Sequence, residues 1–352
     1  MTLLDIQNLH VTFATDAGLI HAVTGVSLTL APGETLGLLG ESGCGKSATA
    51  MSIPRLLPEP PAIIRADRMA FRGKDLLLAT TRELRQMRGR DIGVIFQDPM
   101  TSLSPLVRIA PQIEEALLLH QPMPRREARR IALEWLARVG IDNPAQVALA
   151  YPHQLSGGMQ QRVMVAIALA NDPALIIADE PTTALDVTLQ ARILDLIGSL
   201  RKPGAALLLI THDVGVVAKM AARVAVMYAG QIVEEAPAAE FFKRPLHPYS
   251  AALLAAIPSL ATRGKPLPAI PGQVPSPAAW PTGCRFAPRC SRATALCHEA
   301  APELREVAPE RKARCHLCET NGGRDSVEPG MGCSPVLLDI PTRGSTESRP
   351  PS

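Results

Sequence analysis

The sequence predicts an α/β fold in which a parallel sheet carries a helical insertion. Three short runs of apolar residues are the first observation: Leu36–Leu39, Ala174–Ala178 and Ala206–Ile210. Each run is unbroken rather than alternating, as expected of parallel strands that are covered on both faces. The second observation is Ala128–Val139, in which apolar residues recur at helical spacing and Gly140 follows where a helix would end. Strands and helices that alternate on this scale are typical of α/β domains.

The composition is that of an ordinary soluble globular protein. Of the 352 residues, 47% are hydrophobic and 20% are charged, both usual values for a globular domain. The formal net charge is only +3, so the composition predicts no nucleic-acid partner, because such binders usually carry a basic excess. No stretch reaches about 18 consecutive apolar residues, so none is predicted to span a bilayer. Residues 1–12 lack the basic and apolar regions of a signal peptide, so we expect the chain in the cytoplasm.

The character of the chain changes after about residue 245. We expect a nucleotide-binding domain over residues 1–245, with its helical insertion at about 98–165. Residues 246–318 are predicted to form a separate Pro-rich and Cys-containing region, since six prolines in Lys265–Pro281 exclude a regular helix there. Residues 319–352 are rich in Gly, Pro, Ser and charged residues, and we expect a disordered tail.

A phosphate-binding loop is predicted directly after the first apolar run. Residues 40–47 fit the pattern G-x4-G-K-S, a spacing that a chance Gly-rich turn after a strand would rarely complete. Glycines let backbone N–H groups turn toward phosphate oxygens, and a helix that starts near Lys46 would add its positive end. We expect Lys46 to reach the β- and γ-phosphates of ATP, and the Ser47 hydroxyl to bind Mg²⁺. The residues predicted to bind nucleotide here are Gly40, Glu41, Ser42, Gly43, Cys44, Gly45, Lys46 and Ser47.

A pair of carboxylates, Asp179 and Glu180, ends the second apolar run. The carboxyl ends of parallel strands face the crevice in which such sheets bind ligands. We expect Asp179 to hold Mg²⁺ through water, and Glu180 to polarise the water that attacks the γ-phosphate. Acidic residues at this place can also merely cap the next helix, but here Pro181 follows and a phosphate loop lies upstream. Together the two motifs predict ATP hydrolysis.

Residues 155–162 lie between these motifs and read Leu-Ser-Gly-Gly-Met-Gln-Gln-Arg. They resemble the signature sequence of ABC ATPases, in which a serine and two glycines at a helix start form a second anion site. Gln97 resembles the Q-loop glutamine of that family, Asp186 the D-loop aspartate and His212 the switch histidine. The resemblance covers residues 1 to about 240 and implies a P-loop NTPase core of the ABC type, with a helical insertion subdomain and a small Cys-containing C-terminal subdomain. The signature residues that it implies in nucleotide binding are Ser156, Gly157 and Gly158.

The same resemblance implies how the parts act. ABC ATPases form head-to-tail dimers in which ATP lies between the phosphate loop of one subunit and the signature loop of the other. Asp186 is implied to take part in nucleotide binding as well. Gln97 is implied to reach Mg²⁺ and the attacking water, and His212 to contact the γ-phosphate, so both join Glu180 as catalytic residues. Phe13 is a candidate for stacking on adenine, although a Phe in an early strand is as often part of a core.

Several phrases resemble the oligopeptide and dipeptide importer ATPases within the ABC family: residues 96–103, 151–155, 181–188, 226–230 and 247–249. The implied function is ATP hydrolysis coupled to peptide uptake, by a peripheral subunit at the cytoplasmic face of the inner membrane. The implied partners are a related but different ATPase chain, two transmembrane permease subunits and, through the complex, an extracytoplasmic solute-binding protein. This chain resembles the first of the two ATPases that the group usually pairs. Nickel or another small solute is the alternative cargo, and a non-transport ABC ATPase of DNA repair or translation is the alternative class.

Six of the seven cysteines lie after residue 283, and Cys284, Cys290, Cys297 and Cys315 are separated by five, six and seventeen residues. Disulfides are not expected in the cytoplasm. Zinc fits the spacing poorly, because zinc ligands are usually two to four residues apart. Some members of the peptide-importer group carry a [4Fe–4S] cluster at this motif, so the resemblance implies that these four thiolates are its ligands. Inert, buried thiols are the alternative.

Overall fold

The computed structural model describes residues 2–182, 186–257 and 269–318. Within them the strands are β1 (Leu4–Thr15), β2 (Gly18–Leu30), β3 (Thr35–Leu39), β4 (Ala62–Arg65), β5 (Arg68–Phe71), β6 (Lys74–Asp75), β7 (Ile92–Ile95), β8 (Leu175–Asp179), β9 (Ala206–Thr211), β10 (Arg223–Tyr228), β11 (Gln231–Pro237), β12 (Arg305–Ala308) and β13 (Arg311–Ala313). The helices are α1 (Lys46–Ser52), α2 (Thr81–Met87), α3 (Pro99–Ser102), α4 (Ile109–Leu118), α5 (Arg125–Arg138), α6 (Pro144–Leu149), α7 (Gly157–Leu169), α8 (Val187–Leu200), α9 (Val214–Met220), α10 (Ala238–Lys243), α11 (Pro248–Ala255) and α12 (Ala295–Glu299). The predicted tail, residues 319–352, lies outside the described residues, as do residues 183–185.

Five parallel strands, in the order β10-β3-β9-β8-β7, form one side of an eight-stranded sheet, in which β7 is an edge strand. Strands β3, β8 and β9 coincide with the three apolar runs of the sequence, and every residue of these strands is buried. The predicted α/β class is confirmed. Because the carboxyl ends of parallel strands meet at one edge of a sheet, this topology brings together the segments that follow β3, β8 and β9.

Alternate residues of the central strands enter two separate hydrophobic cores. Ile176 and Leu207 belong to a core that they share with helices α4, α5 and α7. Ile177 and Leu208 belong to a second core, with α1 and the smaller sheet. Successive side chains of a strand point to opposite faces, so burial on both faces explains why these runs carry no polar alternation.

The smaller sheet is antiparallel, in the order β2-β1-β5-β6, and β4 also pairs with β1. Its first hairpin, β1–β2, carries Phe13 opposite Ile20. Phe13 is half-buried and packs against the core that contains α1. This hairpin therefore lies next to the helix that follows the phosphate loop.

The helices between β7 and β8 form their own packed group. The predicted helix over Ala128–Val139 is confirmed as α5, with Val139 as its C-cap residue and Gly140 at a φ of 76°. This positive φ suits glycine and ends the helix. The apolar side of α5 packs against α4, α6 and α7, because Ala132 and Leu136 belong to the same buried cluster as residues of those helices.

The C-terminal region adds two strands to the eight-stranded sheet, which the sequence did not predict. Strand β13 pairs antiparallel with β11, and β12 pairs with β13. The part of the Pro-rich stretch that the structure describes, residues 269–281, contains no helix or strand, as predicted. Among the described residues, none of the helices is both long and apolar enough to cross a membrane.

Candidate functional site

Residues 40–47 form the turn between β3 and α1. Gly43 and Gly45 have φ values of 77° and 102°, which glycine adopts far more readily than other residues. Helix α1 begins at Lys46, as the sequence predicted. The Lys46 ammonium donates hydrogen bonds to the carbonyl oxygens of Gly40 at 2.8 Å and Glu41 at 2.9 Å. The start of the loop therefore holds the cation that is predicted to bind phosphate.

The two side chains predicted to bind Mg²⁺ from β8 and α1 are direct neighbours. The Ser47 hydroxyl donates a hydrogen bond of 3.0 Å to a carboxylate oxygen of Asp179. Burial raises the pKa of Asp179, and the hydrogen bond from Ser47 opposes that rise. A hydroxyl and a carboxylate are hard oxygen ligands of the kind that Mg²⁺ prefers, so this pair fits the predicted metal.

Three predicted phosphate-binding side chains converge on the Glu180 carboxylate. Lys46 Nζ lies 3.8 Å from one of its oxygens. The Gln97 amide donates to the other oxygen at 3.3 Å, and His212 Nδ1 lies 3.3 Å from that same oxygen. These groups follow β3, β7 and β9, so the parallel sheet assembles them. Side chains from three separate segments can thus reach a single anion at this edge.

The backbone at Glu180 is itself unusual. Its φ is 45°, in the left-handed region that costs a non-glycine residue roughly 1–2 kcal/mol. The Glu180 N–H donates to the carbonyl of Ile210 at 2.9 Å, which anchors this conformation to β9. Backbone strain of this kind is concentrated at functional sites. The side chain is only 11% exposed, whereas His212 beside it is 59% exposed.

Gln97 also lines a cavity of about 330 Å³, together with Phe96, Asp98 and Thr101. Apolar side chains stand exposed near it along the chain, with Met100 at 72% exposure and Leu106 at 87%. Single exposed apolar residues are normal on a protein surface, and only a contiguous apolar patch marks an interaction site. The Q-loop segment therefore joins the Glu180 cluster to the surface.

The signature loop lies at the start of α7. The Ser156 hydroxyl accepts the Met159 N–H at 3.4 Å and caps the helix. A Cβ atom added at Gly157 would meet nothing within 4 Å. In the part of the chain that the structure describes, no hydrogen bond or ion pair joins Ser156, Gly157 or Gly158 to the phosphate loop. Ser156 and Gly157 are exposed, whereas a Cβ atom added at Gly158 would lie 2.7 Å from the Leu189 side chain.

Comparison with known proteins identifies the family. Residues 23–183 match the family model of the ABC transporter, and residues 233–297 match that of the oligopeptide/dipeptide transporter C-terminal region. A putative peptide import ATP-binding protein of Brucella abortus is 49% identical over 314 residues, which are 89% of this chain and 94% of that protein. The chain belongs to the ABC transporter family.

Other matches agree with this assignment. A putative peptide import ATP-binding protein of Brucella melitensis is 49% identical over 325 residues, 89% of this chain and 96% of that protein. The solved dimer of the ATP-binding cassette MJ0796 in a post-hydrolysis state, bound to ADP and Pi, is 30% identical with a TM-score of 0.59. That match covers 67% of this chain and 98% of the cassette. The predicted ABC-type fold is confirmed, and the protein is an ABC ATPase that uses ATP and Mg²⁺.

The predicted nucleotide contacts of this ABC ATPase, Phe13 and Asp186 among them, stay predictions. Phe13 is half-buried against the core, and this position does not show whether its ring stacks on adenine. The Asp186 side chain accepts the Leu189 N–H at 2.9 Å and caps α8. That cap is the ordinary structural role of an Asp at a helix start. It does not test the predicted role of Asp186 in nucleotide binding.

The cysteines of the C-terminal region approach one another. The Cys284 N–H donates to the Cys297 carbonyl at 2.7 Å. Burial raises the pKa of the Cys284 thiol, and the nearby Cys297 and Cys315 raise it further. In residues 2–182, 186–257 and 269–318, however, no group of three or more His, Cys, Asp or Glu side chains is arranged to hold a metal ion. This arrangement of the thiols therefore does not support the predicted iron–sulfur cluster.

The C-terminal region also reaches the phosphate loop, which the sequence analysis missed. The Glu41 N–H donates to the Tyr249 hydroxyl at 3.0 Å, and Arg289 donates to both oxygens of the Glu41 carboxylate at 3.1 Å. Tyr249 could have been suspected from the His-Pro-Tyr phrase at residues 247–249. Nothing in the local sequence marks Arg289, because its partner lies 248 positions earlier.

Proposed function

We propose that this ABC ATPase couples ATP binding and hydrolysis to the uptake of di- or oligopeptides by a membrane importer. The observation that carries the ATPase part is the convergence of Lys46, Gln97 and His212 on one anionic group. The peptide part is supported by the match to the oligopeptide/dipeptide transporter C-terminal region and by relatives that are named as peptide import proteins. Nickel or another small solute is the alternative cargo.

In the proposed mechanism the γ-phosphate takes over the contacts that Glu180 makes in this structure. Lys46, Gln97 and His212 bind the phosphate oxygens, and the Glu180 carboxylate, released from them, lies beside the phosphorus with room to accept a proton from water. Ser47, Asp179 and Gln97 would hold Mg²⁺, which would neutralise charge on the phosphates of ATP. Positioning and electrostatics supply most of the catalysis in phosphoryl transfer.

The second half of each site comes from another ATPase subunit in this proposal. Ser156 and Gly157 are exposed at the start of α7. Among the described residues no hydrogen bond joins the signature loop to the phosphate loop of the same chain, and we infer that it binds the nucleotide of a partner. Because one chain holds one set of motifs, two subunits arranged head to tail make two sites. We propose that the partner is a related but different chain.

Gly157→Ala tests the role of the signature loop. The new methyl group meets nothing within 4 Å in the chain, and alanine has a higher helix propensity than glycine. Folding and ATP affinity should therefore stay unchanged. We expect ATP turnover of the assembled transporter to fall by at least tenfold, because the methyl occupies space needed for the partner's phosphate. Steady-state phosphate release and ATP titration measure the two effects.

Gly198→Ala is the matched control for Gly157→Ala. Gly198 lies within α8, and a Cβ there would make only an ordinary contact, 3.9 Å from Met220. This variant should hydrolyse ATP at the normal rate and unfold at the same or a higher temperature. Normal turnover in Gly157→Ala would show that no partner nucleotide approaches the signature loop.

The proposed membrane contact uses exposed apolar side chains of the Q-loop segment. Phe96 lines the cavity with Gln97, and Met100 and Leu106 are exposed a few residues further along the chain, so a permease segment docked on them would respond to the γ-phosphate. We propose two transmembrane permease subunits as the direct partners and an extracytoplasmic solute-binding protein reached through them. The ATPase would then be peripheral, on the cytoplasmic face of the inner membrane.

Affinity purification of the tagged full chain from detergent-solubilised membranes tests this assembly. We expect two polytopic membrane proteins and a second, related ATPase to copurify. Met100→Glu, which places a charge in the proposed contact, should lose them, whereas Leu149→Glu, at another exposed apolar side chain, should keep them. Recovery of ribosomes or DNA-processing proteins without a membrane partner would assign the chain to a non-transport ABC ATPase. Uptake of labelled peptide and of Ni²⁺ by the reconstituted complex separates the two cargoes.

Two finer assignments stay predictions. The division into residues 1–245 with an insertion at about 98–165, residues 246–318 and the tail is one, and limited proteolysis tests it. The [4Fe–4S] cluster on Cys284, Cys290, Cys297 and Cys315 is the other. Its support is the resemblance to importer ATPases that carry a cluster at this motif, whereas in the described residues no group of three or more His, Cys, Asp or Glu side chains is arranged to hold a metal ion. Iron and acid-labile sulfide both absent after anaerobic purification would remove it.

A further inference from the structure

Glu41, the second residue of the phosphate loop, is held from three directions. Its N–H donates to the Tyr249 hydroxyl at 3.0 Å. Its carboxylate receives Arg289 at 3.1 Å on both oxygens. Its carbonyl receives the Lys46 ammonium at 2.9 Å. Two of these partners come from beyond residue 245, so the C-terminal region is bonded directly to the loop that is predicted to hold phosphate.

The position of the Tyr249 side chain in this contact is fixed by the residues around it. It is fully buried on α11, and its ring lies 4.6 Å from that of Tyr228. The segment before it is tied to β11 by the buried Glu234 carboxylate, which accepts the Leu246 and His247 N–H groups at 2.8 Å each. His247 Nδ1 then accepts the Tyr249 N–H at 3.1 Å and caps the helix. The Tyr249 hydroxyl is therefore fixed relative to the catalytic sheet.

Arg289 is equally constrained. It is only 8% exposed, and its Nε donates to the Pro271 carbonyl at 2.8 Å while Nη1 reaches Glu41. The Arg289 side chain is buried while that of Glu41 is 29% exposed, so removing the Glu41 carboxylate would leave a buried positive charge uncompensated, which is costly. An exposed pair such as Arg130 with Glu127 contributes little by comparison. Arg289 can therefore hold Glu41, and with it the phosphate loop, in one position.

We propose that Arg289 and Tyr249 are positioning residues for the phosphate loop, so that the C-terminal region sets the affinity of this ATPase for ATP through Glu41. The contacts act on Lys46, since the carbonyls of Gly40 and Glu41 hold its ammonium. Without these contacts Glu41 can move. The phosphate loop and the Lys46 ammonium are then no longer fixed in the position that binds the phosphates of ATP. The inference rests on the proposed function only in requiring ATP at this loop, and not on the cargo.

The test measures ATP affinity and hydrolysis separately on the full chain. ATP is titrated calorimetrically against wild type, Arg289→Gln, Glu41→Gln and the double variant, and the KM for ATP and kcat are then determined. We expect each single variant to raise Kd and KM about tenfold, a typical strength for coupling between two sites, with kcat within about twofold. The double variant should be no weaker than either single variant, because both remove the same contact.

Three comparisons make the result decisive. Arg130→Gln, which removes an exposed arginine from another ion pair, should bind ATP like wild type. Tyr249→Phe removes one oxygen atom and should also raise Kd; it decides the matter if Arg289→Gln does not fold. Unchanged ATP affinity in folded Arg289→Gln and Tyr249→Phe, or additive losses in the double variant, would overturn the proposal. A wild-type chain that binds ATP without hydrolysing it would refute the proposed function while leaving this inference standing.

Discussion

Replacing Glu180 with glutamine is expected to slow ATP turnover by about 10²–10³-fold, the usual loss when one preorganised electrostatic contact of a transition state is removed. Glutamine keeps the size of the side chain and can still meet Gln97 and His212, but it cannot accept a proton from water. ATP affinity should stay within a few-fold of wild type, because Lys46 and Ser47 are untouched. Single-turnover hydrolysis and ATP titration measure both quantities.

Glu114→Gln is the matched control, since Glu114 is also a paired carboxylate, with Arg129 at 3.1 Å, but lies among the helices between β7 and β8. It should hydrolyse ATP normally. The subunits of the Glu180→Gln transporter should also stay closed around ATP, which size-exclusion chromatography with and without ATP detects. Unchanged turnover in Glu180→Gln would remove Glu180 from the catalytic role.

Gly40→Ala is expected to abolish ATP binding at concentrations that saturate wild type. A Cβ at Gly40 would lie 2.2 Å from the Met227 carbonyl oxygen and 2.7 Å from the Cys44 sulfur. The carbonyl belongs to β10, which cannot move without breaking the sheet, so the loop itself must shift. We expect at least a 100-fold loss of affinity, together with a loss of unfolding free energy of about 1–3 kcal/mol from overpacking.

Gly93→Ala separates the two consequences. Its Cβ would lie 2.4 Å from the Ala168 carbonyl oxygen, so it creates a comparable backbone clash on β7, away from the phosphate loop. Thermal unfolding should show both variants destabilised, but the folded fraction of Gly93→Ala should bind ATP with normal affinity. Equal losses of affinity in the two variants would mean that general destabilisation, and not the loop, explains the effect at Gly40.

The catalytic edge of the sheet could be predicted from the sequence because each part is encoded locally. The apolar runs predict β3, β8 and β9. Glu180 and His212 follow β8 and β9 directly, and Lys46 comes at the end of the loop that follows β3. A parallel sheet then brings them together without further information. Their proximity needed only the strand assignments and the rule that ligands bind at the carboxyl ends, whereas the contacts of Lys46 and His212 with the Glu180 carboxylate were not predicted.

Contacts between distant segments could not be predicted in the same way. Strand β13 is three residues long and pairs with β11 at Glu234 and Glu235, which is too short a pattern to recognise beforehand. Arg289 meets Glu41 only because the chain folds back over the phosphate loop. The cysteine spacing likewise does not determine how the thiols face each other, which depends on packing around α12. The residue types alone therefore did not predict the strand pairing, the contact of Arg289 with Glu41 or the arrangement of the thiols.

The pairing of β13 with β11 also bears on how the protein stays soluble. An uncovered strand at the edge of a sheet offers unpaired N–H and C=O groups to other molecules and promotes aggregation. Here β13 covers β11, and the new edge, β12, carries the charged residues Arg305 and Glu306, which discourage strand addition. A chain shortened to the cassette alone would expose β11 instead. The C-terminal strands thus protect the apolar sheet from self-association while the subunit awaits its partners.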